Sequence, residues 1–281
     1  MSPFSVLMSV YRGDNPSFLD KSLNSIFNQT LIPNEIILIK DGILNKELNS
    51  VIDSYIRINA IPFKIIENKK NRGLGYSLKV GVEASSNEII ARMDADDISK
   101  DYRFERQLKL MHTMPNIDVL GSLTDEFSGD ISNVICKRVV PEKDHDIKLF
   151  LKYRSPFNHP TVVFKKSKIL RSGNYSEYFR NMQDYDLWIR MAIDGCIFHN
   201  IQESLIFFRL SKDLYRRRSG IKYIKYEFML INNMKRNKVV NVIEYFFLIL
   251  SRLPIRIFPS VIREAIYKIL LRRDGREVDK F

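Results

Sequence analysis

Cysteine is scarce in this chain of 281 residues, which contains only Cys136 and Cys196. Two cysteines are too few for a disulfide framework or a cysteine-rich zinc site, and they suit a protein of a reducing compartment. Two common phosphate-binding motifs are also missing from the sequence, Gly-x-x-x-x-Gly-Lys and Gly-x-Gly-x-x-Gly. Their absence excludes a P-loop enzyme and argues against a typical dehydrogenase.

Long hydrophobic runs are missing as well. The longest candidate, Val242 to Leu253, is interrupted by Glu244 and Arg252. It also falls short of the roughly 18 uninterrupted apolar residues that a membrane span needs. Residues 1–10 have neither the basic start nor the long apolar centre of a signal peptide, so we expect them to form a first strand.

Basic charge is abundant and unevenly placed. The net charge is +12, and residues 211–281 contain 17 Lys and Arg against 7 Asp and Glu, which puts +10 of it in the last quarter. Because the rest of the chain is nearly neutral, we expect no nucleic-acid partner. Apolar blocks alternate with cations in this quarter, which is typical of helices in an anionic membrane interface. A basic helical cap packed on the preceding domain is the alternative.

Strands and amphipathic helices alternate in the first hundred residues. Short apolar runs predict strands at 5–10, 35–40, 63–67 and in the first half of 88–97, with a helix after each of the first three. This alternation predicts an α/β fold with a mainly parallel sheet covered by helices on both faces. Right-handed crossovers then place the carboxyl ends of these strands on one edge of the sheet.

The pattern loosens after residue 97. We expect helices at 103–114, 144–152 and 183–194, and strands at 118–123, 131–140, 161–164 and 196–209, with a polar turn at 125–130. Residues 1–212 are therefore expected to form one domain, and residues 213–281 a basic, amphipathic helical extension.

Three carboxylates stand in four positions where the fourth predicted strand ends: Asp94, Asp96 and Asp97. Carboxylates so close together repel one another unless a cation lies among them. Mg²⁺ and Mn²⁺ prefer carboxylate oxygens and often share them with substrate phosphates. The alternative is a polar turn in which Asp96 or Asp97 caps the following helix.

Polar or glycine-bearing segments follow each of the first four predicted strands, on the edge where open α/β sheets bind ligands. These segments are Ser9 to Tyr11, Asp41-Gly42, Asn71-Arg72-Gly73 and Asp94 to Asp96. Each one alone is explained by turn geometry, but their coincidence at successive strand ends favours a nucleotide site. A carboxylate can accept from a base or ribose, and glycine lets the backbone approach the ligand.

Seven motifs occur in an order that resembles the family-2 glycosyltransferases, above all bacterial enzymes that build O-antigen and exopolysaccharide units. They are Phe4 to Tyr11, Ser25 to Thr30, Lys40-Asp-Gly42, Asn71-Arg-Gly73, Ala91 to Asp97, Asn158-His-Pro160 and Gln183 to Arg190. The resemblance covers about residues 4–210. It implies the GT-A fold, a nucleotide-diphosphate-sugar donor, a divalent cation (Mg²⁺ or Mn²⁺) and inversion at the anomeric carbon.

The resemblance also implies roles for individual residues. Asp41 would accept a hydrogen bond from the donor's base, usually uracil. Asp94 would lie near the ribose and the metal, and Asp96 would bind the metal. Asp184 matches the family's general base, with Asp186 as a second candidate. The other residues expected to bind the donor are Ser9, Tyr11, Asn71, Arg72, Gly73 and Arg92.

Some of these residues have structural alternatives. Asp184 is also a candidate N-cap for a helix at 185–194. His159, which precedes an apolar strand, is expected to be structural and not a metal ligand. Trp188, which lies at helical spacing, is expected in the core and not as a platform for a sugar ring.

Two positions depart from the family's pattern. Gln183 stands where relatives often carry an acidic residue, and the segment from Phe208 to Lys212 lacks the His of their closing loop. Arg209, Lys212 and the run 216–218 are candidates for holding phosphate instead. For 216–218 we favour a solvated or membrane-facing basic patch.

These observations predict a metal-dependent enzyme that transfers a sugar from a nucleotide-diphosphate donor, expected to be a UDP-sugar, to a hydroxyl of a lipid-linked glycan. We expect it in the cytoplasm, peripheral on the inner face of the cell membrane, with its C-terminal segment on the anionic surface. A sugar nucleotidyltransferase is one alternative, although Arg12-Gly13 is too little for the Gly-rich basic loop of that class. A non-catalytic binding module is another, although it would not need Asp41, Asp96 and Asp184.

Overall fold

A ten-stranded sheet organises the part of the chain that this computed structural model describes, residues 2–179, 181–210, 221–253 and 273–274. The strands are β1 Phe4–Val10, β2 Glu35–Lys40, β3 Phe63–Glu67, β4 Ile89–Asp94, β5 Ile98–Ser99, β6 Val119–Phe127, β7 Val134–Arg138, β8 Val163–Lys165, β9 Phe198–Arg209 and β10 Arg273–Asp274. The helices are α1 Pro16–Phe27, α2 Lys46–Ile58, α3 Leu74–Ala84, α4 Arg103–Thr113, α5 Asp144–Leu151, α6 Lys166–Arg171, α7 Gln183–Ile193, α8 Ile221–Arg236 and α9 Val242–Arg252.

The first four strands form the parallel half of the sheet, in the order β4-β1-β2-β3. The helices between them begin where the sequence signals a start: the side chain of Asn15 accepts from the amides of α1, and that of Asn45 accepts from an amide of α2. Parallel pairing brings the carboxyl ends of these four strands to one edge, which confirms the predicted α/β class.

The second half of the sheet is mixed. Strand β8 pairs antiparallel with β4, and β6 pairs antiparallel with β8 and β7. The long strand β9 runs parallel to β6, so both strands end on the same edge. Short β5 pairs antiparallel with the end of β9. Counted by paired positions the sheet is mostly parallel, and its mixed half places the end of β9 beside the end of β4.

The prediction of a polar turn at 125–130 is wrong for residues 125–127, which belong to a strand. Strand β6 continues to Phe127 with Asp125 and Glu126 buried. Each carboxylate has a partner from a distant segment: Lys100 Nζ lies 2.9 Å from Asp125 Oδ2, and Cys136 Sγ donates to Glu126 Oε2 at 3.1 Å. These partners remove the cost of burying the acidic groups.

The strand expected at 161–164 begins later, at Val163. A 3₁₀ turn at His159–Thr161 precedes it, because Pro160 fixes the backbone at the start of that turn. Thr161 is buried in this turn and accepts from the amide of Ser122 at 3.0 Å. The turn therefore ties the start of β8 to β6.

Two hydrophobic layers cover the sheet, one on each face, as alternation along β1 requires: Leu7 belongs to one layer, and Val6 and Met8 to the other. Helices α8 and α9 contribute to the layer that holds Leu7. Their buried residues there are Tyr223, Leu230, Ile231, Met234 and Leu248. Within the described residues these helices cap the domain, while the division at residue 212 stays a prediction. None of the described helices is both long and apolar enough to cross a membrane.

Candidate active site

Asp94, Asp96 and Asp97 each bring a carboxylate oxygen to within 4.8 Å of the other two at the end of β4. Strand pairing places Asp94 opposite Ser9 of β1, and Ser22 of α1 donates to the main-chain oxygen of Asp94 at 2.8 Å. The alternative of a helix cap is wrong, because α4 begins only at Arg103. The three carboxylates are thus held together by the sheet edge and not by a following helix.

Asp97 is the fully buried member of this acidic cluster. Burial raises the pKa of its carboxyl well above the usual value, and the nearby charges of Asp96 and Asp94 raise it further. One oxygen accepts from the amide of Arg209 at 2.8 Å, whereas Oδ2 is buried without a hydrogen-bond partner. Crowded carboxylates with an unsatisfied buried oxygen fit a divalent cation, which supplies the missing positive charge.

Arg92 is the cation that the chain itself supplies to this cluster. Its guanidinium is buried and binds both carboxylate oxygens of Asp94, with Nη1 at 2.6 Å from Oδ2. The bidentate pair fixes the orientation of Asp94 and cancels part of the negative charge. Arg92, expected among the donor-binding residues, therefore lies directly behind Asp94.

Asp41, at the end of β2, is bound to the loop that follows β3. It is 3% exposed, and its oxygens accept from Arg72 N at 2.8 Å, Gly73 N at 2.9 Å and Asn68 Nδ2 at 3.0 Å. Gly73 has a φ of +89°, a conformation that favours glycine. The expected donor-binding groups at the ends of β2 and β3 are thus one connected unit.

Arg72 points from this loop towards the segment before α7. Its guanidinium lies 3.4 Å from the ring centroid of Tyr76, and Nη2 lies 2.7 Å from a carboxylate oxygen of Glu177. Lys79 of α3 reaches the other oxygen of Glu177 at 3.1 Å. Glu177 therefore links the donor-side loop to the segment that leads to Asp184.

Tyr11 and Ser9 lie at the end of β1. Ser9 is half-buried within the strand, and Tyr11 follows it with 43% of its surface exposed. A Cβ atom at Gly13 would lie 2.5 Å from the Tyr11 ring, so this glycine allows the ring to lie against the backbone. The exposed ring is available to a ligand at the strand end.

Asp184 lies in the first turn of α7 and is partly exposed. The N-cap position belongs to Met182, so the interpretation of Asp184 as the cap is wrong. Ser155 Oγ donates to Asp184 Oδ2 at 3.4 Å, a long hydrogen bond. Asp184 is therefore a partly exposed residue in the first turn of α7.

Asp186 differs from Asp184 although only one residue separates them. It is 3% exposed, and Arg190, one turn further along α7, lies 2.8 Å from its Oδ2. Burial raises the pKa of Asp186, and Arg190 opposes that rise. The ion pair commits Asp186 to the structure of α7.

Two contacts bring α7 to the donor side. A Cβ atom at Gly75 would lie 2.5 Å from the main-chain oxygen of Ser176 and 3.3 Å from Cβ of Gln183, so α3 approaches the start of α7 closely. The second link is electrostatic and involves the buried Tyr175. Burial raises the pKa of Tyr175, Arg92 lowers it, and the charges of Asp184 and Asp94 raise it. Asp184 and Asp94 are thus both near enough to Tyr175 for their charges to raise its pKa.

His159 and Trp188 lie behind this site. The ring of His159 is hydrogen-bonded through Nε2 to Tyr175 Oη at 3.0 Å. Burial, with a smaller effect of Arg92, lowers the pKa of His159 well below its usual value, so the ring is neutral. Trp188 is fully buried and packs edge-on against Phe157 at 5.1 Å, which confirms its place in the core.

Arg209, expected as a phosphate ligand, is buried against the acidic cluster. Its Nε donates to the main-chain oxygen of Asp96 at 2.9 Å, and the guanidinium lies 3.9 Å from the ring centroid of Phe18 and 4.5 Å from that of Phe127. In the structure Arg209 therefore fixes the loop around Asp96. Lys212 and 216–218 lie outside the described residues.

The fold is shared with a solved nucleotide-sugar enzyme. The mannosyltransferase PcManGT from Pyrobaculum calidifontis, in complex with GDP-Man and Mn²⁺, matches with a TM-score of 0.65 at 13% identity, over 96% of this chain and 76% of that chain. At this identity the match shows the fold alone. The match therefore defines the fold class of the protein, the GT-A fold.

The sequence comparisons give the family. The family model described as "Glycosyl transferase family 2" matches residues 5–179, and the chain belongs to this family. It is 38% identical to the Escherichia coli UDP-Gal:alpha-D-GlcNAc-diphosphoundecaprenol beta-1,3-galactosyltransferase, over 96% of this chain and 97% of that protein. It is 34% identical to the amylovoran biosynthesis glycosyltransferase AmsE of Erwinia amylovora, over 94% and 98%.

Proposed function

We propose that the protein transfers a hexosyl or N-acetylhexosaminyl group from a UDP-sugar to a hydroxyl of a lipid-linked glycan, with inversion, in the synthesis of a bacterial surface polysaccharide. The name of the E. coli relative supports both a UDP-sugar donor and an acceptor on a lipid diphosphate. The name of the Erwinia relative supports a role in polysaccharide synthesis. Both matches run over nearly the whole length of the two chains.

The observation that carries this proposal is the acidic cluster at the end of β4, together with the separate carboxylate of Asp184 in the first turn of α7. A transferase of this kind needs one acidic group to hold the cation that stabilises the leaving diphosphate. It needs a separate carboxylate to take the proton of the attacking hydroxyl. The two groups stand on different elements, at the end of β4 and in α7.

Asp96 and Asp94 are the residues that would hold Mg²⁺ or Mn²⁺, with Asp97 as a third carboxylate beside them. When bound, the cation stabilises the negative charge that develops on the leaving diphosphate. Arg92 fixes the carboxylate of Asp94, and Arg209 fixes the main chain at Asp96. This preorganisation lowers the cost of ordering the site during the reaction.

Asp184 is the proposed general base. The acceptor oxygen attacks the anomeric carbon from the face opposite the diphosphate, and Asp184 takes the hydroxyl proton as the new C–O bond forms and the bond to phosphate breaks. A positioned base contributes roughly 10²–10⁴-fold to such a step. Ser155 and the first turn of α7 orient the carboxylate.

Asp41 has the proposed role of reading the donor's base. A carboxylate offers about four lone-pair sites, and three of those of Asp41 already receive N–H donors from Asn68, Arg72 and Gly73. One site therefore remains for an N–H of uracil. Ser9, Tyr11 and Asn71 frame the same edge of the sheet.

The direct test is turnover of purified protein with a panel of UDP- and GDP-sugars and a synthetic lipid-diphosphate glycan as acceptor, with Mg²⁺, with Mn²⁺ and with EDTA. We expect one UDP-sugar to be consumed in a metal-dependent reaction that collapses in Asp96→Asn and Asp184→Asn. Asp53→Asn, an exposed carboxylate of α2, is the matched control. Turnover that persists in EDTA would contradict the metal assignment, and consumption of GDP-sugars alone would contradict the UDP assignment.

We also propose that the protein works as a peripheral protein on the inner face of the cell membrane. Two observations support this location: the lipid-linked acceptor in the name of the E. coli relative and the basic charge of residues 211–281. Fractionation of cells that express the full chain tests it. Recovery of the protein in the washed membrane fraction, with release by carbonate or high salt, is the expected result.

A further inference from the structure

Helix α9 carries more apolar residues than the core uses. Eight of its 11 residues are apolar. Leu248 is buried, and Tyr245 and Ile249 pack against the core. The other five face outwards: Val242, Ile243, Phe246, Phe247 and Leu250.

These five residues form one continuous face, which we call the α9 face. Positions three and four apart are neighbours on a helix, so Ile243, Phe246, Phe247 and Leu250 lie side by side. Ile243 is 81% exposed and Leu250 73%, and the exposed positions of the helix between them include no charged residue. By contrast, the outward side of α2 carries Lys46, Glu47 and Asp53. A contiguous apolar face of several hundred Å² marks an interaction site.

The α9 face is held rigidly by polar contacts on the other side of the helix. Arg252 lies 2.6 Å from Glu227 of α8, and Tyr245 Oη donates to Asn232 at 2.8 Å. Lys152, just after α5, lies 2.9 Å from Glu244. Because α9 is fixed to two elements, its exposed apolar side chains form a surface with a defined geometry.

The segment that carries the α9 face, residues 221–253, has a positive net charge. Both acidic residues of 221–253 are in ion pairs, Glu244 with Lys152 and Glu227 with Arg252. The remaining charges of the two helices and their link, apart from residue 222, are basic: Lys225, Lys235, Arg236 and Lys238. An apolar face on such a basic segment is complementary to an anionic lipid surface, where the apolar groups enter the acyl boundary and the cations meet the headgroups.

The α9 face is joined to the proposed base by a short segment. The ring of Tyr153 packs edge-on against Phe247 at 6.4 Å, and two residues later Ser155 donates to Asp184. Arg252 also lies over the ring of Tyr185, the neighbour of Asp184, at 5.6 Å. Residues 153–155 and Arg252 therefore connect α9 with the turn that carries the proposed base.

We propose that the α9 face docks onto an anionic lipid bilayer and so holds Asp184 beside the membrane surface, where the glycan of a lipid-linked acceptor lies. This inference rests on the proposed function for its acceptor. The sequence alone predicts membrane contact through the whole C-terminal segment, whereas this proposal assigns the contact to one folded helix. A deletion of the segment would also remove the buried core residues of α8 and α9.

The test is flotation of the full chain with vesicles of phosphatidylglycerol and phosphatidylethanolamine, compared with phosphatidylcholine vesicles. The triple variant Ile243→Ser, Phe246→Ser, Leu250→Ser is expected to lose about tenfold or more of its partition into anionic vesicles, since buried apolar area sets such binding. The matched control is Ile32→Ser, Ile58→Ser, Ile193→Ser, which removes exposed isoleucines elsewhere and should bind as the wild type does. Circular dichroism and thermal unfolding establish that both variants are folded.

Activity separates this inference from the proposed function. The triple variant should turn over a short, water-soluble acceptor as the wild type does, and lose turnover on a long-chain acceptor in vesicles. A triple variant that floats like the wild type overturns the docking proposal even if the enzyme is active. Loss of flotation without any sugar transfer by the wild type overturns the proposed function alone. A wild-type dimer that the triple variant converts to monomer, seen by sedimentation velocity, would assign the α9 face to a second copy of the chain instead.

Discussion

Two pairs of aspartates, each with one intervening residue, have different surroundings. At the end of β4, Asp94 and Asp96 stand with Asp97 within 4.8 Å of one another. At the start of α7, Asp184 and Asp186 project from one turn, but Asp186 is buried in an ion pair with Arg190 and Asp184 is not buried. The first group concentrates negative charge in one place. In the second group Asp186 is buried and Asp184 is partly exposed.

The difference shows how secondary structure sorts carboxylates by spacing. On a strand, residues two apart lie on the same face, so Arg92 meets Asp94 directly. On a helix, residues four apart are neighbours and residues two apart diverge, so Arg190 meets Asp186 and leaves Asp184 on another side. Asp94 and Asp96 therefore stay together in the acidic cluster, whereas of Asp184 and Asp186 only Asp186 is buried in an ion pair.

The largest expected effect comes from Asp96→Asn, which removes one charge from the acidic cluster. A metal that acts as a Lewis acid supplies several kcal/mol, so we expect kcat to fall roughly 10³-fold. Affinity for Mn²⁺, measured by calorimetry in the presence of UDP, should fall with it. Wild-type Mn²⁺ affinity in the variant would break the comparison, because the cluster would then not be the cation site.

Asp184→Asn should lower kcat by about 10²–10³-fold, as expected for loss of a general base. Its Mn²⁺ affinity and its UDP affinity should stay at the wild-type values, because Asp184 belongs to α7 and not to the acidic cluster. Stopped assays for transfer, combined with the same calorimetry, measure both quantities. A loss of metal binding equal to that of Asp96→Asn would mean that the two acidic groups are one site.

Asp186→Asn should affect stability more than activity. The substitution removes the carboxylate that faces the Arg190 guanidinium, which still donates to the main-chain oxygens of Ser172 and Asn174. We expect the free energy of unfolding to fall by about 1–3 kcal/mol, measured by urea denaturation, with kcat near the wild-type value at low temperature. Asp53→Asn, exposed on α2, is the control and should leave both unchanged. A loss of kcat as large as that of Asp184→Asn would make Asp186 the base.

The parallel half of the fold follows from local patterns in the sequence. Apolar runs mark β1 to β4, and the caps Asn15 and Asn45 mark the helix starts, because each of these signals lies within a few residues of the element it defines. Two site contacts also have local signals: the spacing of Arg92 and Asp94 on a strand, and that of Asp186 and Arg190 on a helix.

The rest of the site depends on contacts that no local pattern reveals. Asp97 binds the amide of Arg209, 112 residues away, so its burial could not be predicted from its neighbours. Asp125 and Glu126 read as a polar turn because their partners come from other segments. The link from Ser155 to Asp184 likewise joins two segments whose meeting is set by the packing of α5 against α7.

The smallest expected effect concerns His159, whose ring is hydrogen-bonded to Tyr175. Because its folded pKa is well below the usual value, the folded protein leaves this ring neutral while the unfolded chain takes up a proton below about pH 6.5. Stability is therefore fully present above pH 6.5 and is lost as the pH falls, at up to about 1.4 kcal/mol per pH unit. Urea denaturation between pH 5 and 8 measures this slope. In His159→Gln the slope should decrease by one proton, whereas His145→Gln, an exposed control on α5, should keep it. An unchanged slope in His159→Gln would mean that the histidine takes up its proton equally in the folded and the unfolded state. The folded ring would then be positively charged at low pH.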